Sequence, residues 1–229
     1  MKFTNADGVT HRTNLERRFR IRGIILSVVL LLAACGGSRQ PAPATMAGLQ
    51  ADFEASCPFG SLQAGGSQGY ECTDGEFRVG IDNNQAPYDF ITAPLGGSYG
   101  DVRVEVDVRF AQGADAGAYI ICRGSQAAGD FYLLRLGVDG SVEITDFRET
   151  EEQIARMNSL PEGYVLPGWN HMQADCAGPK LSLTVNGELV LEREIGDDYF
   201  ASGDVGLGAG GGSFGLSEVR FDNFKLSNP

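Results

Sequence analysis

Residues 101–110 read DVRVEVDVRF. Val102, Val104, Val106, Val108 and Phe110 fall on one face of an extended chain, with Arg103, Glu105, Asp107 and Arg109 on the other. A period of two is the signature of a strand that buries one face. Similar runs recur on the C-terminal side: GAYIICR at 117–123, FYLLRLGVDGSVEITDF at 131–147, WNHMQADCAG at 169–178, KLSLTVNGELVLEREI at 180–195, DVGLGA at 204–209 and EVRFDNFKLS at 218–227. Two of them contain Asp139-Gly140 and Asn186-Gly187, dipeptides that accept the positive φ of a type I′ hairpin turn. Only 149–159, ETEEQIARMNS, carries a weak helical pattern, which a polar loop explains equally well. Eight to twelve short strands in one domain predict an all-β fold, a sandwich or a barrel. The 32 glycines against 9 prolines suit many tight turns.

The chain is 229 residues long with a net charge of −12. A nucleic-acid binder needs a surplus of Lys and Arg to displace counterions, so this balance argues against nucleic acid as a partner. The charge is unevenly placed. Arg17, Arg18, Arg20 and Arg22 precede an apolar run, IILSVVLLLAA at 24–34, which is too short for a membrane-spanning helix and of the right length for a signal-peptide core. Its end, LAAC at 32–35, resembles the bacterial lipobox. That resemblance implies cleavage after residue 34 and acylation of Cys35, with Gly36 rather than Asp at the next position favouring the outer membrane or cell surface. Residues 1–34 carry six basic and two acidic side chains, so the remainder holds 12 basic and 28 acidic ones, a net of −16. Such a domain is repelled by anionic lipid, and attachment to a membrane would fall to the acyl chains. Residues 35–50 mix Gly, Ser and Pro-Ala-Pro without apolar periodicity and read as the lipidated Cys and a tether. A single domain, 51–229, follows.

Cys57, Cys72, Cys122 and Cys176 remain, an even number in an exported domain, where thiols oxidise. Three pairings are possible. We prefer Cys57 with Cys72, a local loop, and Cys122 with Cys176, which joins two strand-like segments; loop closure alone gives about 3 and about 4 kcal/mol respectively. No CxxC or Cys/His cluster predicts a zinc site.

The order of several short motifs carries a family resemblance. CRG at 122–124, a Tyr-containing strand ending in GVDG, GWN at 168–170, CAGPKLSLTVNGELV at 176–190, GDVGLGA at 203–209 and VRFDNFKL at 219–226 together resemble the concanavalin A-like jelly-roll β-sandwiches. Within these the chain is most similar to the laminin-G-like and 3-keto-disaccharide hydrolase-type domains of bacterial lipoproteins, over about 52–226. The resemblance implies two curved antiparallel sheets of about six strands each, with a first strand near ADFEA (51–55) pairing with the last.

Few residues offer catalysis. His171 is the single histidine beyond the signal segment, with no nucleophile motif beside it, and GxSxG is absent. Laminarinase-type members of this superfamily place two carboxylates about 5 Å apart on one strand face. Glu105-Val106-Asp107-Val108 fits the first four positions of their pattern, but Arg109 and Phe110 stand where the closing acid belongs, and without it nothing protonates the leaving oxygen. GLGAGG at 206–211 matches GxGxxG, yet strand-like sequence follows it where a dinucleotide site needs a helix. Asp222 and Asn223 are the candidates for a structural calcium ion or, equally, for partners of turn backbone; no other metal or cofactor is expected.

Binding is the stronger expectation. If Ala118, Ile120 and Cys122 face the core, Tyr119, Ile121 and Arg123 face outward; so do Leu133 and Arg135, and His171, Gln173 and Asp175. Tyr119, Arg123, Arg135, His171 and Gln173 would then line one sheet face with an aromatic ring and several hydrogen-bonding groups, as polysaccharide recognition requires. Cross-strand pairing of Arg123 and Arg135 with Asp175 or Glu105 would account for them equally. Trp169 is a further sugar platform or a packing residue at a strand edge. The sequence thus points to an envelope lipoprotein whose domain binds glycan or another envelope polymer without cleaving it. A glycoside hydrolase of the 3-keto-disaccharide type and a structural or protein-interaction domain are the alternatives.

Overall fold

A computed structural model describes residues 48–64, 68–82, 84, 90–148, 150–157, 160–196, 199–211 and 215–229. The expected signal segment, Cys35 and most of the expected tether lie outside the described residues. The described chain is a sandwich of two antiparallel sheets. The larger has nine strands: β1 (Leu49–Ala51), β2 (Leu62–Ala64), β3 (Gln68–Thr73), β4 (Glu76–Asp82), β6 (Val102–Gln112), β11 (Asn170–Ala177), β12 (Lys180–Val185), β13 (Glu188–Glu194) and β15 (Leu216–Ser227). Their order is β13-β12-β11-β6-β15-β4-β3-β2, with β1 also pairing with β15. The smaller sheet holds β5 (Phe90–Pro94), β7 (Gly117–Ser125), β8 (Asp130–Gly137), β9 (Val142–Arg148), β10 (Thr150–Met157) and β14 (Val205–Gly210), in the order β10-β9-β8-β7-β14-β5.

The alternation of β6 is realised residue by residue. Val102, Val104, Val106 and Val108 are fully buried, while Arg103, Glu105, Asp107 and Arg109 are half-buried on the outer face. Valine suits this position because its branched Cβ already prefers the extended backbone. Facing it across the sandwich are Ala118, Ile120, Leu134, Leu136, Ile144, Leu207 and Ala209. Phe53, Phe59, Phe77, Phe221 and Phe224 extend the same core in a chain of ring contacts. Two disulfides are present, Cys57–Cys72 and Cys122–Cys176; the second joins β7 of one sheet to β11 of the other.

Several expectations are corrected. The sheets hold nine and six strands rather than six each, because polar segments before residue 76 add β2 and β3 to the edge of the larger sheet. The first strand, β1, pairs with the last as expected, from Leu49 opposite Leu226 to Ala51 opposite Phe224, and only its start lies two residues ahead of ADFEA. The weakly helical 149–159 instead contributes β10, since the free edge of β9 offers it a ladder from Thr150 opposite Arg148 to Met157 opposite Val142. Asn186-Gly187 forms the expected turn, with φ of 49° and 85°. Of Asp139-Gly140 only Gly140 has positive φ, and the Gly140 N–H donates to the Gly137 carbonyl, so that loop is a type I turn closed by a glycine bulge. Asp74-Gly75, with both φ positive, is a second I′-type hairpin turn, between β3 and β4.

Candidate functional site

The five predicted ligand residues do not share a face. Tyr119 and Arg135 are cross-strand partners on the outer face of the six-stranded sheet. His171 and Gln173 lie on β11, on the outer face of the other sheet. Arg123 faces neither surface. The ladder between β7 and β8 slips between Cys122 and Gly124, and Arg123 takes φ of +57°, so the bulge turns its side chain inward. There it is 0% exposed, between the rings of Tyr132 and Tyr199, and donates Nη1 to the Gly178 carbonyl at 2.7 Å. Burial pushes its pKa below the usual arginine value. The cross-strand alternative fails too: Asp175 pairs with Arg103, and Glu105 with Lys225.

The six-stranded sheet is concave outward. Neighbouring strands lie about 4.8 Å apart, so β5 and β9, with three strands between them, would be about 19 Å apart on a flat sheet. The outward rings of Phe90 on β5 and Phe147 on β9 nevertheless have centroids 5.4 Å apart, which requires the sheet to curl toward them. Phe90 also meets Tyr119, and Phe147 stacks on Phe131. With Ile121 and Leu133 these residues form an apolar cluster separate from the main core. Alternation correctly turned Tyr119, Ile121 and Leu133 outward, but all three are buried, and Tyr119 keeps 9% of its surface.

Polar groups border this cluster. Gly117 and Gly137 leave room for Arg135: a Cβ on Gly117 would lie 2.7 Å from its Nε. Arg135 Nη1 donates to Ser141 Oγ, and the Ser141 hydroxyl donates to Asp139 Oδ1 at 2.6 Å. Burial alone would raise the Asp139 pKa, but hydrogen bonds from the Ser141 hydroxyl and N–H, with the Arg135 charge, bring it below the usual value and keep it ionised. Gln126 lies beside Gly206, its amide Oε1 and Nε2 buried and unpartnered. Gly206, Gly208 and Gly210 of GLGAGG belong to β14, a strand between β7 and β5 and not a phosphate-binding turn; a Cβ on Gly208 would approach the Ile91 carbonyl to 2.6 Å.

The outer face of the nine-stranded sheet is a connected ladder of charges. Arg103 grips Asp175 through two bonds, and Gln173 donates to the same carboxylate. Glu105 accepts from Lys225 at 2.6 Å; Asp107 contacts His171 Nδ1 at 2.8 Å and accepts from Asn223 Nδ2 at 2.9 Å. Arg109 and Arg220 share Glu76, while Arg220 and Arg78 share Glu218. Burial would raise Glu218, but the hydrogen bonds and charges of Arg78 and Arg220 hold it below its ordinary value. The hydrolase-like carboxylates are therefore spent on neighbours, on the sheet opposite the concave one. Trp169 is 37% exposed at the rim with the Arg109 guanidinium 5.1 Å over its ring, which makes it a packing partner with one open side. Asp222 Oδ1 accepts from the Asn223 N–H at a bulge of β15; among the described residues no group of three or more His, Cys, Asp or Glu side chains converges as a metal site would.

A curved, antiparallel, two-sheet jelly roll with an aromatic-lined concave face defines a concanavalin A-like sandwich. The chain belongs to the family of 3-keto-alpha-glucoside-1,2-lyase-like domains, which its sequence matches over residues 60–227. No curated protein sequence matches it. Among solved structures it is similar to the carbohydrate binding module CBM66 from Bacillus subtilis, at 18% identity and a TM-score of 0.54, covering 69% of this chain and 91% of that one. It is also similar to the Bacillus licheniformis beta-glucanase, at 12% identity and 0.58, with 80% and 98% covered. A third is the laminarinase catalytic domain from Thermotoga maritima, at 7% identity and 0.58, with 79% and 97% covered. At these identities the likenesses establish the fold alone.

Proposed function

We propose that this is a lipid-anchored protein of a bacterial envelope, attached through Cys35 at the outer membrane or cell surface, whose sandwich binds glycan without cleaving it. One observation carries the second half of that reading: Glu105 and Asp107, the carboxylates in the hydrolase-like pattern, are each held by a neighbouring side chain, and Arg109 occupies a position of the missing acid. A retaining hydrolase needs one carboxyl that keeps its proton and one free to attack. Binding is supported by the family, by the row of Tyr119, Arg135 and Glu143 across the curved sheet, and by the half-buried rings of Phe90 and Phe147 beside it. The family's description favours the rival reading, a glycoside-cleaving enzyme. Polysaccharide pull-down with a reducing-sugar assay separates the two. Retention on glycan without sugar release, weakened about tenfold by Arg135→Ala, is the expected result. Release of reducing sugar that Glu105→Gln or Asp107→Asn abolishes would establish the hydrolase instead.

A further inference from the structure

The nine-stranded sheet carries its ion-paired carpet on every central strand, but the carpet is interrupted near the β2 edge. Gly69 on β3 and Gly80 on β4 are register partners, and Gly80 is in turn opposite Glu218 on β15. Gly80 faces outward, because Phe77, Val79 and Ile81 of the same strand take the inward positions. Gly80, where an added Cβ would meet nothing closer than the Ser217 carbonyl at 3.8 Å, opens a cleft of about 200 Å³, and Gly69 beside it admits the Leu62 carbonyl of β2 into the wall. Its walls include Arg78 and Glu71 on one side and Leu216, 37% exposed, on another, with Gln63 and Gln68 among the other lining residues.

The geometry points to a binding site for a single neutral sugar ring in this cleft, separate from the concave face. Size is the first argument: drug-sized ligands occupy pockets of about 300–1,000 Å³, so 200 Å³ suits one ring rather than a chain. Charge is the second. Arg78 donates Nε to Glu218 at 2.7 Å and Nη1 to Glu71 at 3.1 Å, so the cation is already balanced. An entering anion would meet the second oxygen of Glu71, and an entering cation would compete with Arg78. Hydrogen-bonding capacity is the third. The Arg78–Glu71 pair is fixed by its own bonds yet leaves Nη2 as a donor and one Glu71 oxygen as an acceptor, and each bears on hydroxyl groups, which both accept and donate. Leu216 supplies an apolar surface for the C–H face of the ring.

Gly80→Val tests the cleft without straining the fold, since a Cβ there finds its nearest neighbour, the Ser217 carbonyl, at 3.8 Å. The full chain is titrated with the methyl glycosides of glucose, galactose and N-acetylglucosamine and followed by amide-resolved NMR. The site predicts saturable shifts at Gly69, Gly80 and the Arg78 side chain with at least one of the three, weakened about tenfold or more by Gly80→Val and by Arg78→Gln. Shifts confined to the surroundings of Tyr119 and Arg135 would overturn the cleft while leaving glycan binding by the concave face intact. No shift with any glycoside, or shifts at the cleft that survive Gly80→Val, would overturn it as well; polysaccharide retention by the same protein reports on the concave face independently.

Discussion

Arg123 illustrates how one backbone angle decides what a side chain can do. Its φ of +57° costs a non-glycine residue about 1 kcal/mol or more, and its guanidinium is buried with Nε and Nη2 unpartnered. Against those costs stand the bond to the Gly178 carbonyl and two tyrosine rings, each worth about 1–2 kcal/mol when desolvated. A side chain of similar volume without charge keeps the packing and removes the desolvation penalty. Arg123→Met is therefore expected within about 1 kcal/mol of the parent in denaturant unfolding, and Arg123→Ala about 2–4 kcal/mol below it, because alanine leaves a cavity. Equal losses in both variants would show that the charge itself stabilises the fold. Alternation alone could not reveal this residue's place: the bulge that turns it inward depends on pairing with β8, and no local pattern in CRG records that pairing.

At the scale of the element, legibility followed the number of faces a strand buries. β6 and β11 bury one face each, so their sequences alternate and were readable. β14 is buried along its whole length, and its glycines served instead to admit close neighbours. This gives a direct expectation for Gly208→Ala. The added Cβ would stand 2.6 Å from the Ile91 carbonyl and 3.3 Å from Thr92 Cγ2, so β5 must shift outward. Overpacking of this kind costs about 1–3 kcal/mol, readable as a lowered denaturation midpoint with unchanged slope. An unchanged midpoint would mean that β5 is loosely held. β10 is the opposite case: its polar, charged sequence carries no strand signal of its own, and its conformation comes from the open edge of β9. The same holds for the cleft, whose two glycines lie eleven positions apart in sequence and become neighbours only through the β3–β4 hairpin.

At the scale of the whole molecule, charge and anchoring make a joint prediction. The domain after residue 34 carries a net −16, a figure that opposes attraction to anionic lipid as the means of attachment. The described ladder of ion pairs redistributes that excess across the nine-stranded sheet without cancelling it. On the proposed anchoring, the acyl chains at Cys35 hold the protein alone, at about 0.8 kcal/mol per buried CH₂. High salt should then leave the wild-type protein in the membrane fraction, because screening weakens no attraction that holds it. Cys35→Ser should move it to the soluble fraction with its thermal unfolding unchanged, since Cys35 lies fourteen positions ahead of β1 and the sandwich core draws on residues from Ala51 onward. Release by salt, or a Cys35→Ser protein that stays with the membrane, would place the attachment on the domain surface and remove the lipid from the account.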